Sequence, residues 1–95
     1  MTPEEAQRLT EEKWEELAAG EGRRGAPCGW CLFAGRDCSA CPVVQVTGCL
    51  CENLEVMQRH YCDPTSESAQ AVLDYLREHG EEYIKAAVDI CVKLW

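Results

Sequence analysis

The stretch Cys28-Gly29-Trp30-Cys31-Leu32-Phe33-Ala34-Gly35-Arg36-Asp37-Cys38-Ser39-Ala40-Cys41-Pro42 holds two Cys-x-x-Cys pairs six residues apart. A pair at this spacing lets two sulfurs converge on one ion while small intervening residues let the backbone turn. Two such pairs complete a tetrahedral thiolate shell at about 2.3 Å from zinc. Gly29, and Ser39 with Ala40, suit those turns. The simplest ligand set is Cys28, Cys31, Cys38 and Cys41. Cys49 can stand in for Cys38, beside Cys28, Cys31 and Cys41, and Cys51, His60, Cys62 and Cys91 are candidates for a second site. The spacer is shorter than the ~15–20 residues of many zinc sites, which does not forbid one.

An iron–sulfur cluster competes with zinc for four cysteines, and Pro42 after the last of them is similar to the end of the bacterial ferredoxin run. That run is denser, with Cys-x-x-Cys-x-x-Cys, so the spacing places zinc ahead. A disulfide set is the structural alternative for the whole cluster. Cys28-Gly29-Trp30-Cys31 also invites a thioredoxin-like reading, but that motif needs a strand before it, and Gly20–Pro27 upstream reads as a loop.

On either side of this module the charge changes sign. Residues 1–22 carry a net of −5, residues 23–51 a net of +2 with six of the eight cysteines, and residues 52–95 again −5. The expected organisation is a single domain, 1–95, made of an acidic helix over 1–22, a cysteine-rich metal module over 23–51 and a helical segment over 52–95. With 95 residues and one Phe, the core is small, and the cysteines are the natural staple. No apolar run reaches the ~18 residues of a membrane span. The acidic start, Met1-Thr2-Pro3-Glu4-Glu5, is unlike a secretory signal or a presequence. The expected location is therefore cytoplasmic, where clustered thiols serve as metal ligands. A net charge of −8 disfavours general nucleic-acid binding.

The flanks read as helices. Thr2-Pro3-Glu4-Glu5 is an N-cap, a first-turn proline and a capping-box Glu, followed by an apolar stripe of Ala6, Leu9, Trp14, Leu17 and Ala18, with Gly20 as a stop. Asp63-Pro64-Thr65-Ser66 opens a helix with Ala69, Val72, Leu73 and Leu76 on one face. Gly80 is expected to end it in a left-handed conformation and start a helical hairpin, whose second arm buries Ile84, Ala87, Val88, Cys91 and Trp95. A shorter helix runs through Leu54, Met57 and Tyr61. Val43-Val44-Gln45-Val46-Thr47 suits a strand by its β-branching and a helix by Pro42, and stays open.

No constellation for hydrolysis or group transfer stands out. His79 sits where a helix C-terminus favours a cation, and His60 reads as a solvated helix position before it reads as a ligand. The adjacent Glu pairs Glu4/Glu5, Glu11/Glu12, Glu15/Glu16 and Glu81/Glu82 do not face a common site. They read as solvated faces or as a docking surface for a basic partner. Arg23, Arg24 and Arg36 with Trp30 and Phe33 are a weak nucleic-acid footprint amid seventeen acids. The plainer reading has the aromatics cover the metal while the arginines offset its thiolates.

Trp14-Glu15-Glu16-Leu17-Ala18-Ala19-Gly20-Glu21-Gly22, Cys28-x-x-Cys31, Cys38-x-x-Cys41-Pro42-Val43, Thr47-Gly48-Cys49 and the trailing helix together resemble small cysteine-rich proteins of bacteriophages and mobile elements. The resemblance covers residues 13 to about 80, and it implies metal binding and a phage-type origin rather than a mechanism. Those proteins often carry Thr-Pro-Tyr after the fifth cysteine, where this chain has Cys51-Glu52-Asn53. The fold expected is small and mainly α, its short helices stapled by a zinc-finger-like, cysteine-rich metal-binding module. The function expected is non-enzymatic: a zinc-binding, regulatory protein-interaction module whose partner is a protein with a basic surface. The alternatives are an acidic inhibitor that mimics DNA toward a host nucleic-acid enzyme, and an iron–sulfur protein for electron transfer or sensing.

Overall fold

Thr2 turns the chain into α1 (Pro3–Ala18): its hydroxyl accepts the Glu5 N–H at 3.2 Å, and Pro3 sits where a helix needs no N–H. The computed structural model describes residues 1–21 and 28–93. Beyond the first helix come α2 (Gly29–Phe33), a 3₁₀ turn (Cys38–Ala40), α3 (Pro42–Thr47), a second 3₁₀ turn (Cys51–Asn53), α4 (Glu55–Cys62), α5 (Ser66–Glu78) and α6 (Gly80–Lys93). The protein is mostly helical, with no strand among the described residues. Its extents are 41 × 22 × 22 Å.

The long flanking helices form the frame. α5 begins with a capping box in which Thr65 Oγ1 accepts the Ser68 N–H at 3.0 Å and Ser68 Oγ accepts the Thr65 N–H at 2.9 Å. It buries Ala69, Val72, Leu73 and Leu76 as the periodicity predicts, and packs mainly against α1. Arg77 reaches from α5 to Glu15 at 2.6 Å and Glu11 at 3.2 Å on α1. These partners raise the guanidinium's pKa further, the Glu15 hydrogen bond being the largest cause. The pairs are exposed, so they fix register more than they stabilise. α4 closes the same side: the ring of His60 meets Trp14 edge-on at 5.0 Å, and Met57 is buried beside it in the core.

Several expectations need correction. Residues 42–47 are helical, because Pro42 occupies the first turn, Thr47 Oγ1 donates to the Val43 carbonyl at 2.7 Å, and Gly48 closes the helix with φ 76°. β-Branching costs a helix only a few tenths of a kcal/mol per residue. Gly80 is not a left-handed terminator but the first residue of α6. A Cβ there would come within 2.9 Å of Gln7 Nε2, so glycine serves close approach to α1. α6 does not fold back on α5 as a hairpin; it packs against α3 and α1. Its buried face is Tyr83 and Ala87, whereas Val88 is 45% exposed. Trp95 lies outside the described residues. Tyr61, expected on the apolar face of this helix, is exposed, and its neighbour His60 is buried in its stead.

Candidate metal centre

Two polar residues of α1 hold the first cysteine turn. Thr10 is fully buried; its hydroxyl donates to the Ala6 carbonyl at 2.7 Å and accepts the Trp30 N–H at 3.1 Å. With its one proton so committed, it also accepts from the Cys28 thiol, Sγ lying 3.4 Å away. Gln7 Oε1 accepts the Trp30 indole N–H at 2.9 Å, while its amide donates to the Leu76 carbonyl of α5 at 3.0 Å. Gly29 permits this approach: any Cβ would meet the Ala6 carbonyl oxygen and Thr10 Oγ1. Cys28 is thereby set as the N-cap residue of α2.

The chain then reverses through two consecutive left-handed residues, Gly35 and Arg36, both at φ 65°. Arg36 takes this conformation at a cost of about 1–2 kcal/mol. Asp37 receives the turn: its Oδ1 accepts the Ser39 hydroxyl at 2.7 Å and the Ser39 N–H at 3.0 Å. Those bonds, the side-chain one first, hold its carboxyl below the usual range. Cys38 opens the 3₁₀ turn and Cys41 is the N-cap of α3. After Gly48 the second 3₁₀ turn brings Cys51 back toward them.

The result is a cavity of about 60 Å³ whose wall carries Cys28, Cys31, Cys38, Cys41 and Cys51. Trp30, Ala34, Val43 and Val44 complete its apolar part, and Arg36 and Asp37 lie at the same wall. Among the described residues no three ligating side chains converge on one point; the thiols surround the space instead. All eight cysteines are free. Burial raises the Cys41 thiol's pKa, opposed by the Val43 and Val44 N–H groups and helped by the nearby Cys28 and Cys38 sulfurs. Burial also raises that of Cys51, and after it the sulfurs of Cys28, Cys41 and Cys38. Both effects favour the protonated form of Cys41 and Cys51, and a soft cation would have to displace those two protons.

All four members of the simplest ligand set therefore line one cavity, joined by Cys51. The other candidates lie elsewhere. Cys49 is outside the wall, its sulfur 3.7 Å from Thr47 Oγ1. His60 is buried between Trp14 and Ser68, with Nδ1 2.8 Å from Ser68 Oγ, so the solvated position expected of it is corrected. Cys62 is exposed at the end of α4. Cys91 lines a separate apolar groove with Met1, Leu32 and Phe33. A second site from Cys51, His60, Cys62 and Cys91 is not assembled: His60 and Cys62 share α4, but one is buried and the other exposed, and Cys51 and Cys91 line two other cavities. Trp30 is fully buried, with Phe33 edge-on to it at 5.6 Å, so it offers no face to a base. Arg23 and Arg24 lie outside the described residues. His79 caps α5 and stands 3.5 Å from Glu82.

Gln7 and Thr10 carry no chemical motif that marks them as site residues. Their only signal is position: Ala6, Thr10 and Trp14 recur every four residues, which places Thr10 within the buried stripe. No helix among the described residues is long and apolar enough to cross a membrane. Comparison with protein-family models, with curated proteins and with solved structures finds no match.

Proposed function

We propose that this chain is a small zinc-binding protein-interaction module, regulatory and non-enzymatic, of the type encoded by phages and mobile elements and acting in the host cytoplasm. The observation that carries the reading is the gathering of five thiols from three turns around one small cavity. α2 and α3 have only five and six residues, and each flanking turn three. Helices that short do not persist unaided, so a four-thiolate ion is a sufficient reason for their order. One Zn²⁺ with four thiolates adds −2, taking the formal charge from −8 to about −10.

Such a surface suits a basic protein partner. Within α1, Glu11 and Glu15 bind Arg77, and Glu12 binds Arg8 at 2.6 Å. Glu4, Glu5 and Glu16 are exposed on the same helix, and these are the acids we assign to the partner. The buried Trp30 supports a protein partner over nucleic acid. The test is elemental analysis of protein purified without chelator, followed by binding to a basic protein at rising salt. About one zinc per chain, with association slowing past ~0.15 M salt, is expected. Protein free of zinc and iron with oxidised thiols refutes the reading, and a brown protein transfers it to an iron–sulfur cluster.

A further inference from the structure

We propose that Cys38 is the site at which hydroperoxides oxidise this protein, with Cys41 as its resolving thiol, so that the turn between them closes into a disulfide. The oxidation is independent of the metal; only its consequence for zinc rests on the metal reading above.

Two requirements select this pair. An oxidant must reach one sulfur from solvent, and a second thiol must be held by the backbone within bridging reach. Among the described residues, Cys38 alone meets both. It is exposed, yet it also lines the five-thiol cavity. Cys41 is buried and lines the same cavity, so the two side chains lie on one side of the 3₁₀ turn. The Cys41 N–H donates to the Cys38 carbonyl at 3.1 Å. That bond closes a four-residue turn and holds the two Cα atoms less than ~7 Å apart, about the reach of a disulfide. The side-chain bonds of this turn, Ser39 to Asp37 and Gln45 to the Ser39 carbonyl, all lie at the exposed surface, where the turn is free to adjust as the sulfurs join. The other cysteines each lack a requirement. Cys28 and Cys31 share the spacing, but both are only half-exposed, and α1 locks α2 through Gly29, Thr10 and Gln7. Cys51 is exposed at the cavity, but its turn closes on Leu54 rather than on another cysteine. Cys62 is exposed at the end of α4, away from the cavity wall.

Hydrogen peroxide supplies the oxidising equivalents. The Cys38 sulfur takes one peroxide oxygen as the O–O bond breaks, giving a sulfenic acid, and the other oxygen leaves as water with the thiol proton. The Cys41 sulfur then attacks the Cys38 sulfur. The S–O bond breaks, the S–S bond forms, and a second water leaves with the Cys41 proton. Two electrons pass from the sulfurs to the peroxide oxygens; thiolates on zinc draw the two protons from solvent instead. Five thiols line the cavity, so the bridge leaves three, whichever four held the ion, and a four-thiolate shell is lost.

The experiment treats the reduced, zinc-loaded full-length chain with one equivalent of hydrogen peroxide. Free thiols are blocked with N-ethylmaleimide in urea, oxidised ones are reduced and labelled with iodoacetamide, and fragment spectra read each cysteine. Label is expected on Cys38 and Cys41 before any other cysteine. Zinc should appear on a chromophoric chelator in step with that label, about one ion per bridge, and return to the protein after dithiothreitol. In Cys41→Ser, Cys38 should stop at the sulfenic acid and be trapped by dimedone. Label falling first on Cys28 with Cys31, or on Cys38 with Cys51, overturns the proposal, as does peroxide that leaves every thiol free. Should Cys41→Ser fail to fold, the map of the parent chain decides alone. A parent chain that takes up no zinc refutes the metal reading, and the same map on the reduced, zinc-free chain still decides the oxidation site.

Discussion

Replacing Gly29 by alanine tests how α1 positions the cysteine turn. The added Cβ would stand 2.8 Å from Thr10 Oγ1 and 2.9 Å from Leu9 Cβ, and inside contact distance of the Ala6 carbonyl oxygen. Two of these three are backbone or β-carbon atoms of a regular helix and cannot swing aside, so α2 must retreat. Retreat stretches the Trp30 N–H bond to Thr10, now 3.1 Å and fully buried, and draws Cys28 away from the same hydroxyl. Overpacking costs roughly 1–3 kcal/mol and an orphaned buried donor a similar amount. The sum is about 2–6 kcal/mol, which lowers Tm by on the order of 10–40 °C in a domain of this size. Gly48→Ala is the contrast, because that site is open but left-handed at φ 76°. It should cost only about 1 kcal/mol, from backbone strain. Thermal melts followed by circular dichroism read both, and chelator competition reads zinc affinity, which Gly29→Ala should also reduce. A Gly29→Ala protein melting within about 3 °C of the parent with unchanged zinc affinity refutes the reasoning.

Trp30→Phe keeps the ring but removes the indole donor, leaving buried Gln7 Oε1 unsatisfied; urea unfolding should show a loss of about 1–3 kcal/mol. Chelation under reducing conditions should release residues 28–54 to fast hydrogen exchange while α1, α4 and α5 stay protected, since Trp14, Met57, His60 and Leu73 pack without help from the cavity. Uniform protection after proven metal removal would contradict this. The thiols give opposite pH responses with and without metal. Burial first, and then neighbouring sulfurs, raise Cys41 and Cys51. A thiol raised in the folded state adds stability below its unfolded value of about 8.5 and loses it as pH climbs. The stripped protein should therefore lose Tm above about pH 9. Zinc binding releases those protons, so chelator competition should show affinity rising from pH 6 to 8 and failing in acid.

The helical frame was legible because its signals are local. Thr2-Pro3 and Thr65 announce two helix starts, and Ala69, Val72, Leu73 and Leu76 recur at the helical period. What escaped notice depends on three-dimensional company. Tyr83 and His60 are amphipathic rings whose burial was decided by Trp30 and Trp14, residues far away in the chain. Gly80 carries the composition of a helix stop but answers to Gln7, seventy-three positions earlier. At the cavity, Cys28, Cys31, Cys38 and Cys41 share one wall. Cys51 joined them because Gly48 turns the chain after α3, and no Cys-x-x-Cys spacing encodes that. The polar contacts of Gln7 and Thr10 were invisible for the same reason: a Gln and a Thr on an acidic helix look like surface until α2 covers them.

Zinc K-edge X-ray absorption on the protein purified without added chelator asks directly whether these thiols hold a single zinc ion. Four sulfurs at about 2.3 Å, with no oxygen or nitrogen in the first shell, is the predicted result. Absence of zinc from the reduced protein, or a first shell of oxygen and nitrogen, would contradict it.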